Sequence, residues 1–273
     1  MRAAAAGILL AAALAAQAAA PVAFVADIRG NATIEGDGKL NFLAELAPGT
    51  RLLLGSGATA AITFAATGAE FTVSGPGEFL VTPAEVKAEK GAAPRRRAVP
   101  ALADPGIVAR VSQTATASLR MRSVTPAYPA GKPGLEYPVG SRVATLQPVH
   151  RWRAETGAEG HTLTLLDASG RELWKGGGKA QGTRTPVRLS PATRYTWSVM
   201  SPKGVLGEAQ FETLSADAIA RAEKSHAGAR SFSDRVLHAF LLQDVGAAQD
   251  AREAWADLSR ERPDLPELAA LAR

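Results

Sequence analysis

The chain has 273 residues, a formal net charge of +5 and no cysteine. At roughly 150 residues per domain, that length predicts two domains or three small ones. The missing cysteine excludes disulfides, a thiolate nucleophile, Cys-ligated zinc or iron–sulfur sites and a lipidated cysteine. Alanine supplies 57 residues and aromatic side chains only 5%. Several small cores are therefore expected, because a buried Ala contributes far less than a buried Leu or Phe.

Met1-Arg2 is a short basic start, and Ala3 to Leu14 is an apolar run. Ala16-Gln17-Ala18 has the small-x-small form of a signal-peptidase site. Residues 1–18 therefore read as a secretory signal peptide, cleaved after Ala18. No later stretch reaches the roughly 18 consecutive apolar residues of a membrane span, so the mature form is not expected to cross a membrane. The abundance of Ala and Arg suggests a GC-rich bacterial genome, which makes the periplasm the expected location. Losing Arg2 with the leader lowers the formal charge from +5 to +4. In that compartment the positive charge faces envelope polymers and lipid headgroups, and no nucleic-acid partner is expected. The densest cluster, Arg95-Arg96-Arg97, has no interleaved aromatic for base stacking. It reads as a solvated loop, with a patch for an acidic surface as the functional alternative.

From Val22 onward the sequence alternates in short runs. Strands are expected around Val22–Val25, Asp27–Ile34, Arg51–Leu54, Ala60–Phe64, Glu70–Val73 and Phe79–Val81. Gly- and Pro-containing turns separate them, the pattern of an all-β unit. Ala84–Lys90 reads as a helical turn, and 88–106 as a loop rich in Pro, Gly, Ala and Arg. Two further strands are expected at Ile107–Val111 and Ala117–Arg122, closing a domain over 22–124. Four prolines (126, 129, 133 and 138) make 125–140 an extended linker.

Leu46-Ala47-Pro48-Gly49-Thr50, Leu53-Leu54-Gly55-Ser56-Gly57, Ala60–Phe64 and Ser74-Gly75-Pro76-Gly77-Glu78-Phe79 together resemble the FecR-like periplasmic domain. The resemblance spans about residues 22–85. It implies a non-catalytic β-module used in periplasmic signalling and in exported proteins. The regulatory members carry an anti-sigma segment and a transmembrane helix before this domain. Neither is found here, so direct control of a sigma factor is not expected.

Residues 141–214 hold about seven short strand patterns, as an immunoglobulin-like sandwich requires. Pro148, Trp152, Leu163–Asp167, the run Leu189–Val199 and Phe211 are similar to a fibronectin type III domain. That resemblance implies packing roles for Trp152, Tyr195 and Trp197. Gly176-Gly177-Gly178 reads as a flexible hairpin or loop. Its neighbour Ala180 stands where a phosphate loop needs Ser or Thr.

Residues 215–273 change to helical period. Ser215 and Ser231 are N-cap candidates, Gly246 ends one helix, and Arg262-Pro263-Asp264 ends the next. Val236, Leu237, Phe240 and Leu241 form one apolar face, and Ala247, Ala251, Ala254, Trp255 and Leu258 another. Residues 231–264 resemble one tetratricopeptide-like hairpin, expected either to dock on the sandwich or to bind a partner. Neither a Gly-x-Ser-x-Gly elbow nor a His-Glu-x-x-His helix is found. The histidines at 150, 161, 226 and 238 are scattered, and only His150 and His161 are placed to meet across strands. No catalytic, cofactor or metal residue is assigned.

The fold class expected is mainly β: a FecR-like β-domain, an Ig/fibronectin III-like β-sandwich and a short C-terminal α-helical hairpin. The expected role is a non-enzymatic binding or scaffolding module for a protein partner or peptidoglycan. The alternative is a periplasmic signalling component acting through a separate membrane regulator.

Overall fold

The computed structural model describes residues 20–64, 66–99, 134–154, 160–180 and 182–273. The expected leader over 1–18 and the strands expected at 107–111 and 117–122 lie outside the described residues. Within them the protein is mainly β, with antiparallel sheets followed by C-terminal helices. No described helix is long and apolar enough to cross a membrane.

The first unit pairs two five-stranded sheets. Strands β1 (Ala23–Arg29), β4 (Glu45–Leu46), β6 (Thr59–Phe64), β7 (Ala69–Ser74) and β10 (Arg95–Ala98) are ordered β10-β7-β6-β1-β4. Strands β2 (Ala32–Ile34), β3 (Gly38–Lys39), β5 (Arg51–Leu54), β8 (Gly77–Val81) and β9 (Val86–Lys90) are ordered β3-β2-β5-β8-β9. Leu52, Phe79 and Val81 of the second sheet share one core with Phe24, Ile62, Phe71 and Val73 of the first.

Two local expectations for this unit need correction. Ala84–Lys90 is not a helical turn, since Val86–Lys90 is strand β9 paired with β8. Nor is 88–106 one continuous loop, because Arg95–Ala98 is β10, paired with β7. Both are edge strands, where charged side chains are tolerated and discourage pairing with another chain. Their composition therefore lacks the apolar alternation of an interior strand.

The second unit is a two-sheet sandwich. Its smaller sheet contains β11 (Gly134–Tyr137), β13 (Val149–Arg153) and β16 (Thr183–Arg184). The larger contains β12 (Arg142–Val143), β14 (His161–Leu166), β15 (Glu172–Gly178), β17 (Arg194–Ser201) and β18 (Gly204–Thr213), ordered β12-β18-β17-β14-β15. The expected linker over 125–140 is thus shortened, since Gly134–Tyr137 belongs to the sandwich. Alternation is clean in β17, where Tyr195, Trp197 and Val199 point inward and are all buried. Trp152 and Trp197 are fully buried, and the Trp197 indole N–H donates to the Pro138 carbonyl at 2.7 Å. The Tyr195 hydroxyl accepts from the Ser190 N–H at 2.8 Å, tying the start of β17 back to the preceding turn. All three aromatic side chains therefore pack, as expected.

Gly176–Gly178 is strand rather than loop, facing His161–Leu163 across the β14–β15 ladder. A Cβ at Gly176 would lie 2.5 Å from the Trp174 ring, and one at Gly178 would lie 2.6 Å from the Trp152 ring. These glycines make room for indoles.

The C-terminal helices are α1 (Ala216–Gly228), α2 (Phe232–Asp244), α3 (Ala248–Glu261) and α4 (Pro266–Leu271). Ser215 accepts from the Ala218 N–H, and Ser231 forms a capping box with Asp234. Gly246, at φ +86°, supplies the left-handed residue that turns α2 into α3.

The hairpin's main docking partner is not the sandwich. Phe232, Val236, Leu237, Phe240, Trp255, Leu258, Leu265 and Leu268 join the core of the first β-unit. This explains why β1 and β6 are buried on both faces. The alanines there (23, 26, 60 and 61) leave room between the sheets and the helices. A smaller core of Leu214, Ile219, Ala222, Leu242, Ala247 and Ala251 connects the helices to one another next to the sandwich.

Candidate functional site

A buried arginine, Arg262, and a half-buried one, Arg97, lock the helices onto the first unit. Arg262, just past α3, is 6% exposed. It donates to Asp27 at 2.5 Å, to the Ile28 carbonyl at 2.6 Å and to both oxygens of Asp264 at 2.8 Å. Its guanidinium also lies over the Phe232 ring. Arg97 donates to Glu70 at 2.7 and 2.9 Å, and contacts Asp234 at 2.8 Å and the hydroxyls of Ser231 and Ser233 at 3.0 Å. Arg97 is therefore not a residue of a solvated loop. It bridges β7 to the first turn of α2, while Arg95 and Arg96 stay exposed. Against the effect of burial, the bonds from Ser231 and Arg97 hold the Asp234 carboxyl below the usual range.

Polar contacts secure the other side of α3 to the sandwich. Asp250 accepts from the Tyr137 hydroxyl at 2.6 Å and from the Ala144 N–H at 2.8 Å. Gln249 accepts from the Val139 N–H and donates to the Glu136 carbonyl. Arg151 pairs with Glu253. Burial pushes the Asp250 carboxyl up despite these donors, and burial together with the facing carboxylate pushes the Tyr137 phenol up.

Between these two attachments lies a groove of about 600 Å³. Each helix contributes a stripe at helical spacing. Ala222, Glu223, His226 and Ala229 come from α1 and its end, Arg235, His238 and Leu242 from α2, and Asp250, Glu253, Ala254, Asp257 and Leu258 from α3. Ala144 and Thr145 close one end from the sandwich side. Alanines and leucines make the floor, while carboxylates, imidazoles and one guanidinium stand around it. His226 and His238, expected to be scattered, have ring centroids 5.3 Å apart. Burial, reinforced by His226, lowers the His238 pKa to about 4, and its buried Nδ1 has no hydrogen-bond partner.

The other two histidines do not form a pair. His150 lies on β13 of the smaller sheet, edge-on to Trp197 and Phe211, and His161 lies on β14 of the larger, against Trp152. Among the described residues, no three His, Cys, Asp or Glu side chains are arranged to hold a metal ion.

The groove has no local sequence signature. Its walls come from three helices and the segment that follows β12, brought together only when α1 packs on α2 and α3 packs on the sandwich. The apolar hairpin faces were legible, but the side on which they leave a gap was not. A comparison with protein families finds no match for the chain, and a comparison with curated proteins finds none either.

Proposed function

We propose that the protein is an exported, non-enzymatic binding module of the bacterial periplasm that holds a segment of a protein partner in the helical groove. The observation that carries this reading is the groove: an apolar floor of Ala222, Leu242, Ala254 and Leu258 bordered by Glu223, Glu253 and Asp257. A concave apolar surface with a few polar groups suits side-chain anchors presented at helical or extended spacing. Glu253 pairs with Arg151 and Asp257 with Arg260, so Glu223 is the border carboxylate that favours a segment carrying Lys or Arg beside those anchors. The leader-like N-terminus and the resemblance of residues 22–85 to a FecR-like domain support the envelope location.

The test uses tagged full-length protein and an Ala229→Trp variant, whose indole would fill the groove. Affinity capture from envelope extracts should recover a discrete partner with the wild type and lose it with the variant. Recovery of an inner-membrane regulator through the groove would point to signalling. Sedimentation with purified sacculi that the variant does not reduce would favour peptidoglycan and oppose this reading.

A further inference from the structure

Two imidazoles share the helical groove. His226 stands in the last turn of α1, and His238 in the middle of α2. Both line the groove, with ring centroids 5.3 Å apart and ring planes tilted by 54°. His226 is exposed and His238 half-buried. Among the described residues, none hydrogen-bonds the buried Nδ1 of His238. A buried ring nitrogen left without a partner costs about 1–3 kcal/mol, a cost that packing alone does not offset.

The separation of the rings matches a coordination geometry. Metal–nitrogen bonds of about 2.0–2.1 Å, meeting at a tetrahedral angle, place two imidazole centres about 5.2 Å apart. The local field also favours a cation. The α1 carbonyls around His226 form the negative end of that helix. Glu223 lies one turn earlier on the same face and lines the same groove. The groove's guanidinium, Arg235, is held by Glu261 at 2.6 Å.

We propose that His226 and His238 together bind a divalent transition-metal ion of the zinc or copper type. Imidazole nitrogen suits these ions, whereas magnesium and calcium take oxygen ligands. Among the described residues, no third His, Asp or Glu is placed to join the pair. The remaining coordination positions therefore open onto the groove and are filled by water. A structural zinc centre closes its shell with four protein ligands, so this site is an open and exchangeable one. The ion binds to the free protein and does not depend on what segment the groove holds.

The experiment is a titration of untagged full-length protein with zinc chloride, followed by calorimetry and by the imidazole resonances of the four histidines. Wild type should give one saturable site. The His226 and His238 resonances should shift together, while those of His150 and His161, buried in the sandwich, should stay in place. His226→Ala and His238→Gln should each weaken binding tenfold or more. Glu208→Gln, at an exposed carboxylate outside the groove, should leave it unchanged. Magnesium chloride at the same concentration should give no saturable shift. Zinc should also raise the Tm of wild type and not that of His226→Ala. His226 is exposed, so its replacement leaves the core intact and keeps the test decisive if His238→Gln fails to fold. No saturable binding to wild type, or zinc binding that survives His226→Ala with unchanged affinity, would overturn the proposal.

Discussion

Replacing Arg262 with Ala tests whether the helices belong to the first β-unit or merely lean on it. The substitution removes the donors to Asp27, the Ile28 carbonyl and Asp264, and the cation over Phe232. Breaking one side of a buried pair typically costs about 3–5 kcal/mol, because the remaining partner is left uncompensated. The side chain of Asp264 is 61% exposed and rehydrates, whereas that of Asp27 is 21% exposed and the Ile28 carbonyl loses its buried donor. The lower end, about 3 kcal/mol, is therefore expected. For a protein of this size that corresponds to about 6–12 °C in Tm. Thermal and urea unfolding measure it, and Asp27→Asn with the double variant completes the cycle. The two single effects should be strongly non-additive. A loss under 1 kcal/mol with additive singles would refute the claim that this contact anchors the helices.

Arg97→Ala should destabilise by about 3 kcal/mol, since it strands Glu70 and Asp234 in buried positions. Arg95→Ala and Arg96→Ala should stay within about 0.5 kcal/mol by urea unfolding. Tyr195→Phe removes the acceptor for the Ser190 N–H and should cost about 1 kcal/mol in the same assay. Burial lowers the His150 pKa from 6.5 to about 4. The unfolded chain therefore binds the extra proton first as pH falls, so this group's contribution is complete above pH 6.5 and lost on acidification towards 4. The loss is about 3 kcal/mol, and His150→Phe should flatten the urea-midpoint profile over that window. N-terminal sequencing of protein recovered from the periplasm should begin at Ala19.

What the sequence disclosed followed the range of the signal. Ser231, Asp234, Gly246 and Pro263 act within a turn of their own positions, and the helix limits at 232–244 and 248–261 were legible from them. Tyr195 and Trp197 sit on a strand whose alternation is complete, so their burial was legible too. Arg97 was not, because a run of three arginines beside Pro94 has the composition of a solvated loop. Only pairing with β7 and the approach of α2, 134 residues away, makes it structural. Gly134–Tyr137 was hidden by the prolines on either side, which an edge strand tolerates. The same limit hid the groove. His226 and His238 come together through packing of α1 against α2, and no spacing along the chain encodes that proximity.

The most direct measurement is site-specific photo-crosslinking in living cells that express the full-length protein. A photoreactive residue at Glu223, on the exposed edge of the groove, is compared with one at Lys175, on an edge strand of the sandwich. The binding account predicts a discrete protein adduct from position 223 that disappears when Ala229→Trp fills the groove, and none from position 175. Equal adducts from both positions, or a position-223 adduct that persists with the groove filled, would contradict it.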